Sequence, residues 1–333
     1  MQASRPTATS RIRRASARRV IRLGVRRRFR TFSWSSEPLS SVLLHFDDEA
    51  AAAAKLAAAC GCAIRPIERH RFPDGELRLR LPERLPRVVV LFRGLAYPNE
   101  KLVELMLAAD TARALGAEQV VLVAPYMAYM RQDIAFRVGE AVSQRIIGRY
   151  LANLFDAVIT VDPHLHRVET LGEAIPVTDA LALSAAPLLG DFVAGRRRAP
   201  LLMGPDSESA QWVASAAAAH GFDHAVCSKV RHGDRNVEIA LPEMAVAGRS
   251  VVIVDDVAST GHTVAVATQL LLAAGAASVD LAVTHALFAE GALALVREAG
   301  VSEVWSTDAI AHPTNAVSVA PLIAEALLPL MAR

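Results

Sequence analysis

The amino-acid sequence predicts an α/β protein of two tandem domains, each a mostly parallel sheet flanked by helices. Three observations lead there. Short runs of Val, Leu and Ile end at turn residues, as strands buried on both faces do. Segments of helical period, rich in Ala and Leu, separate those runs at the spacing of right-handed strand–helix–strand units. The same rhythm then begins again in the second half of the chain. Composition agrees, because 53% of the 333 residues are hydrophobic and only 5% aromatic, so the core must be aliphatic. The length is enough for two domains of ordinary size.

The first 40 residues stand apart. Residues 1–30 hold 11 Arg and no acid. They lack core-forming periodicity and read as a disordered extension, with a targeting peptide or a basic arm as alternatives. Without those 11 Arg, 25 basic residues face 34 acids, so the overall net charge of +2 conceals a body carrying nine excess negative charges. Nucleic acid is therefore not an expected partner. No run approaches the roughly 20 apolar residues a bilayer span needs, so a membrane is not expected either. Cys60, Cys62 and Cys227 are too few and too scattered for a disulfide framework, which favours a reducing, cytoplasmic setting.

From Ser41 the elements follow in order. Strands are expected at 41–46, 88–94, 119–125 and 156–163, with helices at 99–117 and 143–154. The stretch ELRLRL (76–81) alternates instead: Leu77, Leu79 and Leu81 share one face, and Arg78 and Arg80 the other, as in a half-exposed antiparallel strand. In the second half, strands are expected at 200–205, 224–230, 250–256 and 278–287. The boundary falls near Thr178, giving domains at 41–178 and 179–312. The last helix, within 313–333, is apolar on more than one face and is expected to pack back on the first domain.

The chemistry concentrates in VVIVDDVASTGHT (251–263). A buried strand ends in Asp255 and Asp256, and a loop of small residues leads into a helix. Backbone N–H groups at a helix start receive a phosphate well. Two carboxylates would repel it, unless they hold sugar hydroxyls or a cation while the loop holds the phosphate. A 5-phosphorylated ribose has both features.

This segment resembles the PRPP-binding loop of type I phosphoribosyltransferases and of the ribose-phosphate pyrophosphokinase (PRPP synthetase) family. The resemblance implies that Asp255 and Asp256 meet the ribose hydroxyls, and that Ser259, Thr260, Gly261, His262 and Thr263 cradle the 5-phosphate. His262 stands where the family often has Gly. Further segments point to the synthetases and imply two type I phosphoribosyltransferase-like domains. RFPDGELRLRL (71–81) is similar to their adenine-binding hairpin, implying ATP contacts from Phe72, Asp74 and Glu76 and a site completed by a neighbouring subunit, hence a homo-oligomer. APYMAYMRQD (124–133) implies that Arg131 and Gln132 bind ATP. Asp162 and His164 match an Asp-x-His whose His helps hold Mg²⁺. FRVGEAVS (136–143) resembles the archaeal-type members. GPDSESA (204–210) implies that Asp206 contacts the metal and the ribose, with Glu208 and Ser209 where the family has small residues. SKVRHGDRNVEI (228–239) resembles the mobile catalytic loop, with Lys229 and Arg231 as its cations. The implied reaction is transfer of a diphosphate from Mg-ATP to ribose 5-phosphate. A non-catalytic regulatory subunit and a PRPP-consuming phosphoribosyltransferase are the alternatives.

Overall fold

The computed structural model describes residues 41–165, 167–232 and 236–332. The Arg-rich segment, His166 and residues 233–235 lie outside the described residues, as do the side chains of 229–238. The expectation for residues 1–40 therefore concerns a segment outside the description.

The first lobe begins with β1 (Ser41–His45), α1 (Ala50–Cys60) and β2 (Ala63–Pro66). A hairpin of β3 (Glu68–Arg71) and β4 (Leu77–Arg80) follows. Then come β5 (Val88–Phe92), α2 (Pro98–Ala114), β6 (Gln119–Ala124), α3 (Ser143–Leu154), β7 (Ala157–Val161), the single turn α4 (Leu171–Ala174) and β8 (Asp179–Leu183). The second lobe contains α5 (Ala186–Ala194), β9 (Leu201–Gly204), α6 (Ala210–Ala218) and β10 (His224–Val226). A second hairpin, β11 (Ser228–His232) and β12 (Asn236–Ala240), precedes β13 (Ser250–Ala258) and α7 (His262–Ala273). The chain continues through β14 (Ser278–Ala286), α8 (Ala292–Glu298), β15 (Val304–Thr307), β16 (Asn315–Val317) and α9 (Ala320–Met331).

Two six-stranded sheets result, ordered β2-β1-β5-β6-β7-β8 and β10-β9-β13-β14-β15-β16. Every pairing within them is parallel. Numbered within its own lobe, each sheet runs 2-1-3-4-5-6, and each carries an antiparallel hairpin between its second and third strands. The recurrent rhythm of the sequence is thus a repeat of topology.

Burial on both faces explains the continuous apolar runs. In β5, Val89 and Leu91 join the core beneath α2, while Val90 and Phe92 join the core beneath α1 and α9. In β13, Val251 and Ile253 pack with α7 and α8, and Val252 and Val254 with α5 and α6. Each such side chain contributes roughly 1.5–3 kcal/mol by leaving water. Helix α9 lies against α1 and the first sheet through Ile323, Leu327 and Leu330. The hairpin strand β4 alternates as its sequence suggests, with Leu77 and Leu79 half-buried and Arg78 and Arg80 exposed.

Two expectations change. The run 224–230 is two strands, not one. The Cys227 N–H gives a 2.8 Å hydrogen bond to the Gly204 carbonyl, after which the chain leaves the sheet and β11 pairs with β12. The boundary at Thr178 also falls one strand short, because β8 pairs with β7 and completes the first sheet.

Candidate functional site

The C-terminal ends of the second sheet position the acids. Strands β9 and β13 run side by side with Met203 opposite Ile253. Asp206, three residues beyond Met203, and Asp255, two beyond Ile253, therefore emerge at one edge. This is also where the strand order reverses, the usual ligand crevice of an open α/β sheet. Asp206 is buried, and one of its carboxylate oxygens accepts the Glu208 N–H at 3.0 Å. Ser209 donates its hydroxyl to the Asp206 carbonyl at 2.6 Å and is fully buried against Gly204.

Strand β13 continues past the two acids to Ala258, because β14 pairs with it that far. Asp255 Oδ1 accepts the Asp256 N–H at 3.0 Å. Burial, together with the charges of Asp256 and Asp206, raises the Asp255 pKa well above the ordinary carboxylate range. Asp256 is buried too, and burial opposes its charge, but the hydrogen bond and electrostatic attraction of His164 outweigh that and lower its pKa. His164 Nδ1 lies 2.7 Å from Asp256 Oδ2. A residue from the end of β7 in the first lobe thus reaches the acid pair of the second.

The following turn is ready for an anion. Helix α7 starts at His262, and no side chain caps it among the described residues. Its N-cap, Gly261, has φ +78°, and a Cβ there would lie 2.9 Å from Val296 Cγ2 and 3.0 Å from the Ala292 carbonyl oxygen. Only glycine meets both demands without strain. His262 is exposed and has ordinary helical φ, so the left-handed position is Gly261 and the imidazole at 262 costs no backbone strain.

A cavity of about 270 Å³ adjoins this end. Arg131, Gln132, Asp162, His164 and Val257 line it, together with Tyr126, Tyr129 and Met130. The 130–132 segment is held by Gln144 of α3, whose side-chain amide donates to the Met130 carbonyl and whose N–H donates to the Gln132 carbonyl, both at 3.2 Å. Asp133, next in sequence, is buried and takes a 2.6 Å hydrogen bond from Arg167.

Of the residues singled out by sequence, Arg131, Gln132, His164, Asp255, Asp256, Asp206 and the 259–263 turn thus gather at neighbouring strand ends. Phe72, Asp74 and Glu76 do not line this cavity. They form the exposed tip of the β3–β4 hairpin. There the Phe72 ring meets His70 edge-on at 4.8 Å, and Asp74 Oδ1 accepts the Glu76 N–H at 3.1 Å. Lys229 and Arg231 are alternate residues of β11, opposite Ile239 and Val237. Sequence reasoning gave no role to Trp212, Thr284 and His285, although all three contact Asp162 or its peptide. Nothing local marks them, since each bond spans at least 50 residues.

Among the described residues no group of three or more His, Cys, Asp or Glu side chains is arranged to hold a metal ion. A site completed by substrate phosphates needs no such group, because Mg²⁺ takes one or two carboxylates and fills its other positions with phosphate and water. Burial, and after it the repulsion from Asp256 and Asp206, raises the Asp255 pKa, and both costs favour a dication nearby.

The chain matches the model of the N-terminal domain of ribose phosphate pyrophosphokinase over residues 41–157, and a phosphoribosyl transferase domain over residues 182–320. It is 37% identical over 277 residues to a ribose-phosphate pyrophosphokinase of Methanopyrus kandleri, covering 82% of this chain and 94% of that one. The chain belongs to the ribose-phosphate pyrophosphokinase family. A second member, from Methanosarcina acetivorans, is 36% identical over 83% of this chain and 95% of its own length. Both are archaeal, in keeping with the 136–143 segment. A crystal structure of phosphoribosylpyrophosphate synthetase from Mycobacterium smegmatis superposes with a TM-score of 0.75 at 23% identity, covering 88% of this chain and 99% of that one. That match shows the fold: two tandem phosphoribosyltransferase-like lobes.

Proposed function

We infer that this chain is a ribose-phosphate diphosphokinase, moving the β,γ-diphosphate of ATP to the anomeric hydroxyl of ribose 5-phosphate and releasing AMP. One observation carries the reading. His164, in the wall of the cavity that contains Arg131 and Gln132, hydrogen-bonds Asp256, the second of two acids ahead of an uncapped helix start. A pocket suited to a polyphosphate therefore adjoins a turn suited to a phosphorylated sugar.

In this reading the N–H groups of 259–263 take the 5-phosphate, and Asp255 and Asp256 orient the ribose hydroxyls. Binding leaves less reason for Asp255 to hold a proton, since hydroxyl donors stabilise its charged form. Arg131 steadies the phosphates with its planar fork, and Gln132 meets the nucleoside. Phe72, Asp74 and Glu76 contact adenine, and because their hairpin tip lies apart from the cavity, they serve the site of a neighbouring copy in a homo-oligomer. Asp206 and His164 would hold Mg²⁺, which when bound would supply charge neutralisation to the phosphates. Lys229 and Arg231 stabilise the charge that develops there as the anomeric oxygen attacks in line. AMP leaves without a strong general acid, so positioning and electrostatics do most of the catalysis. The working location of such an enzyme is the cytoplasm, and no described helix is long and apolar enough to cross a membrane.

The test is AMP formation from Mg-ATP. It is expected only when ribose 5-phosphate is present, with one AMP per PRPP. Binding of both ligands without AMP would instead mark a regulatory subunit. Pyrophosphate release from PRPP and a free base would mark a phosphoribosyltransferase.

A further inference from the structure

By sequence Asp162 is the first residue of the Asp-x-His whose His helps hold Mg²⁺, two residues before His164, and its own polar atoms are already engaged. It is 5% exposed and has φ +37°, a left-handed conformation that Asp tolerates better than most residues. Its N–H donates to the Leu183 carbonyl at 2.7 Å. Oδ1 accepts the Trp212 indole N–H at 3.0 Å. Oδ2 accepts the Ala185 N–H at 3.0 Å and the Thr284 hydroxyl at 2.7 Å. His285 Nε2 lies 2.9 Å from the Val161 carbonyl oxygen and 3.3 Å from that of Asp162. Carbonyls only accept, so Nε2 must carry the proton. Burial lowers the ring's pKa, and its buried Nδ1 has no partner among the described residues.

The geography of these donors matters. Asp162 ends a strand of the first sheet. Trp212 is on α6 and Thr284 and His285 are on β14, all in the second lobe, while Ala185 caps α5 at the link between the lobes. We propose that Asp162 is a positioning residue rather than a metal ligand: its carboxylate and peptide clamp the end of β7 to the second lobe and so hold His164 against Asp256. A carboxylate with three donors has little capacity left for a cation, and cutting one donor leaves a buried charge underpaired. The backbone between Asp162 and His164 is a single Pro163, whose fixed φ transmits the orientation.

The inference deepens the diphosphokinase reading and rests on it for its kinetic arm only. Asp162→Asn keeps the shape but turns an amide N–H₂ toward one of the donors. Turnover should fall at least about 30-fold at saturating Mg²⁺, with Mg-ATP and ribose 5-phosphate affinities within about threefold of the parent, the pattern of lost alignment rather than lost binding. Raising Mg²⁺ should not restore it, whereas for a metal ligand it would. His285→Leu should behave likewise, and His285→Gln, which keeps a donor near Nε2, should recover most of the loss. The second arm needs no activity. The Trp212 indole N–H signal, identified by its absence in Trp212→Phe, should move upfield in Asp162→Asn as its bond to a carboxylate is lost. Restoration by Mg²⁺, parental turnover in Asp162→Asn, or an unmoved indole signal would each overturn the proposal. If the parent itself makes no AMP, the functional reading fails and the indole signal alone decides the clamp.

Discussion

The two lobes share a strand order and a hairpin position, yet differ at the same topological point. In each sheet the order reverses between the first and third strands. In the second lobe that point lies between β9 and β13 and opens onto Asp206, Asp255 and the uncapped start of α7. In the first lobe it lies between β1 and β5, and a buried ion network fills it. Arg93, 1% exposed, bonds Asp48, Glu49 and Glu104, and lies over the Phe46 ring at 4.5 Å. Glu49 also accepts the Gly94 N–H at 2.9 Å, and Lys101 donates to the Gly94 carbonyl at 2.6 Å. The crevice that could bind a ligand in the first lobe is thus closed by the protein's own charges. Of two crevices at equivalent points of the same topology, one is filled by the protein's own side chains and the other is left open. In the first lobe the open cavity lies instead beyond the ends of β6 and β7, where Arg131, Gln132 and His164 stand.

The largest effect should come from breaking the closed crevice. Arg93→Leu leaves Glu104, which is fully buried, with fewer counter-charges and should destabilise the protein by about 3–5 kcal/mol, measured by denaturant unfolding. A loss under about 1 kcal/mol would mean that the network is not what fills this point.

Next in size is the hairpin of the second lobe. Lys229→Ala should slow turnover at least about a hundredfold with little change in ATP affinity, as removal of a preorganised cation does. Near-parental turnover would remove Lys229 from the mechanism and leave the two hairpins functionally unlike.

A smaller effect is expected in the open crevice. Gly261→Ala imposes a left-handed φ and a tight contact on the turn, so ribose 5-phosphate should bind roughly tenfold more weakly, from about 1–2 kcal/mol of strain. Calorimetric titration would show it, with ATP affinity unaltered.

The smallest effect concerns stability and pH. Asp255 has a raised pKa in the folded, ligand-free protein. The folded state therefore binds more protons than the unfolded state, and stability falls as pH rises from the unfolded carboxylate range up through the folded pKa. Asp255→Asn removes that fall. The variant should melt higher than the parent at neutral pH, by about 2 °C or more, while binding ribose 5-phosphate more weakly. Parallel melting curves for the two proteins across pH would show that Asp255 is not the strained group.

Much of this was legible in the sequence because it depends on local pattern. The strands from 41 to 45, 88 to 92 and 119 to 124 announce themselves as unbroken aliphatic runs, and the Asp255–Thr263 segment carries both acids and turn together. What stayed hidden depends on distance in the chain. Arg93 reads as the end of an apolar run, because its partners lie 44, 45 and 11 residues away. Asp162 reads as a companion of His164, because its donors come from 23, 50 and 122 residues away. The division of 224–230 into two strands turns on one hydrogen bond from Cys227, which no periodicity reveals.

The central claim, that the open crevice presents a sugar phosphate to a nucleotide held by the first lobe, is tested most directly by following phosphorus. With ATP labelled at the β-phosphorus, phosphorus NMR should show the label leaving with the γ-phosphate as one diphosphate on C1 of ribose 5-phosphate, and AMP unlabelled. Label retained in ADP, or appearing as free pyrophosphate with the sugar unchanged, would contradict it.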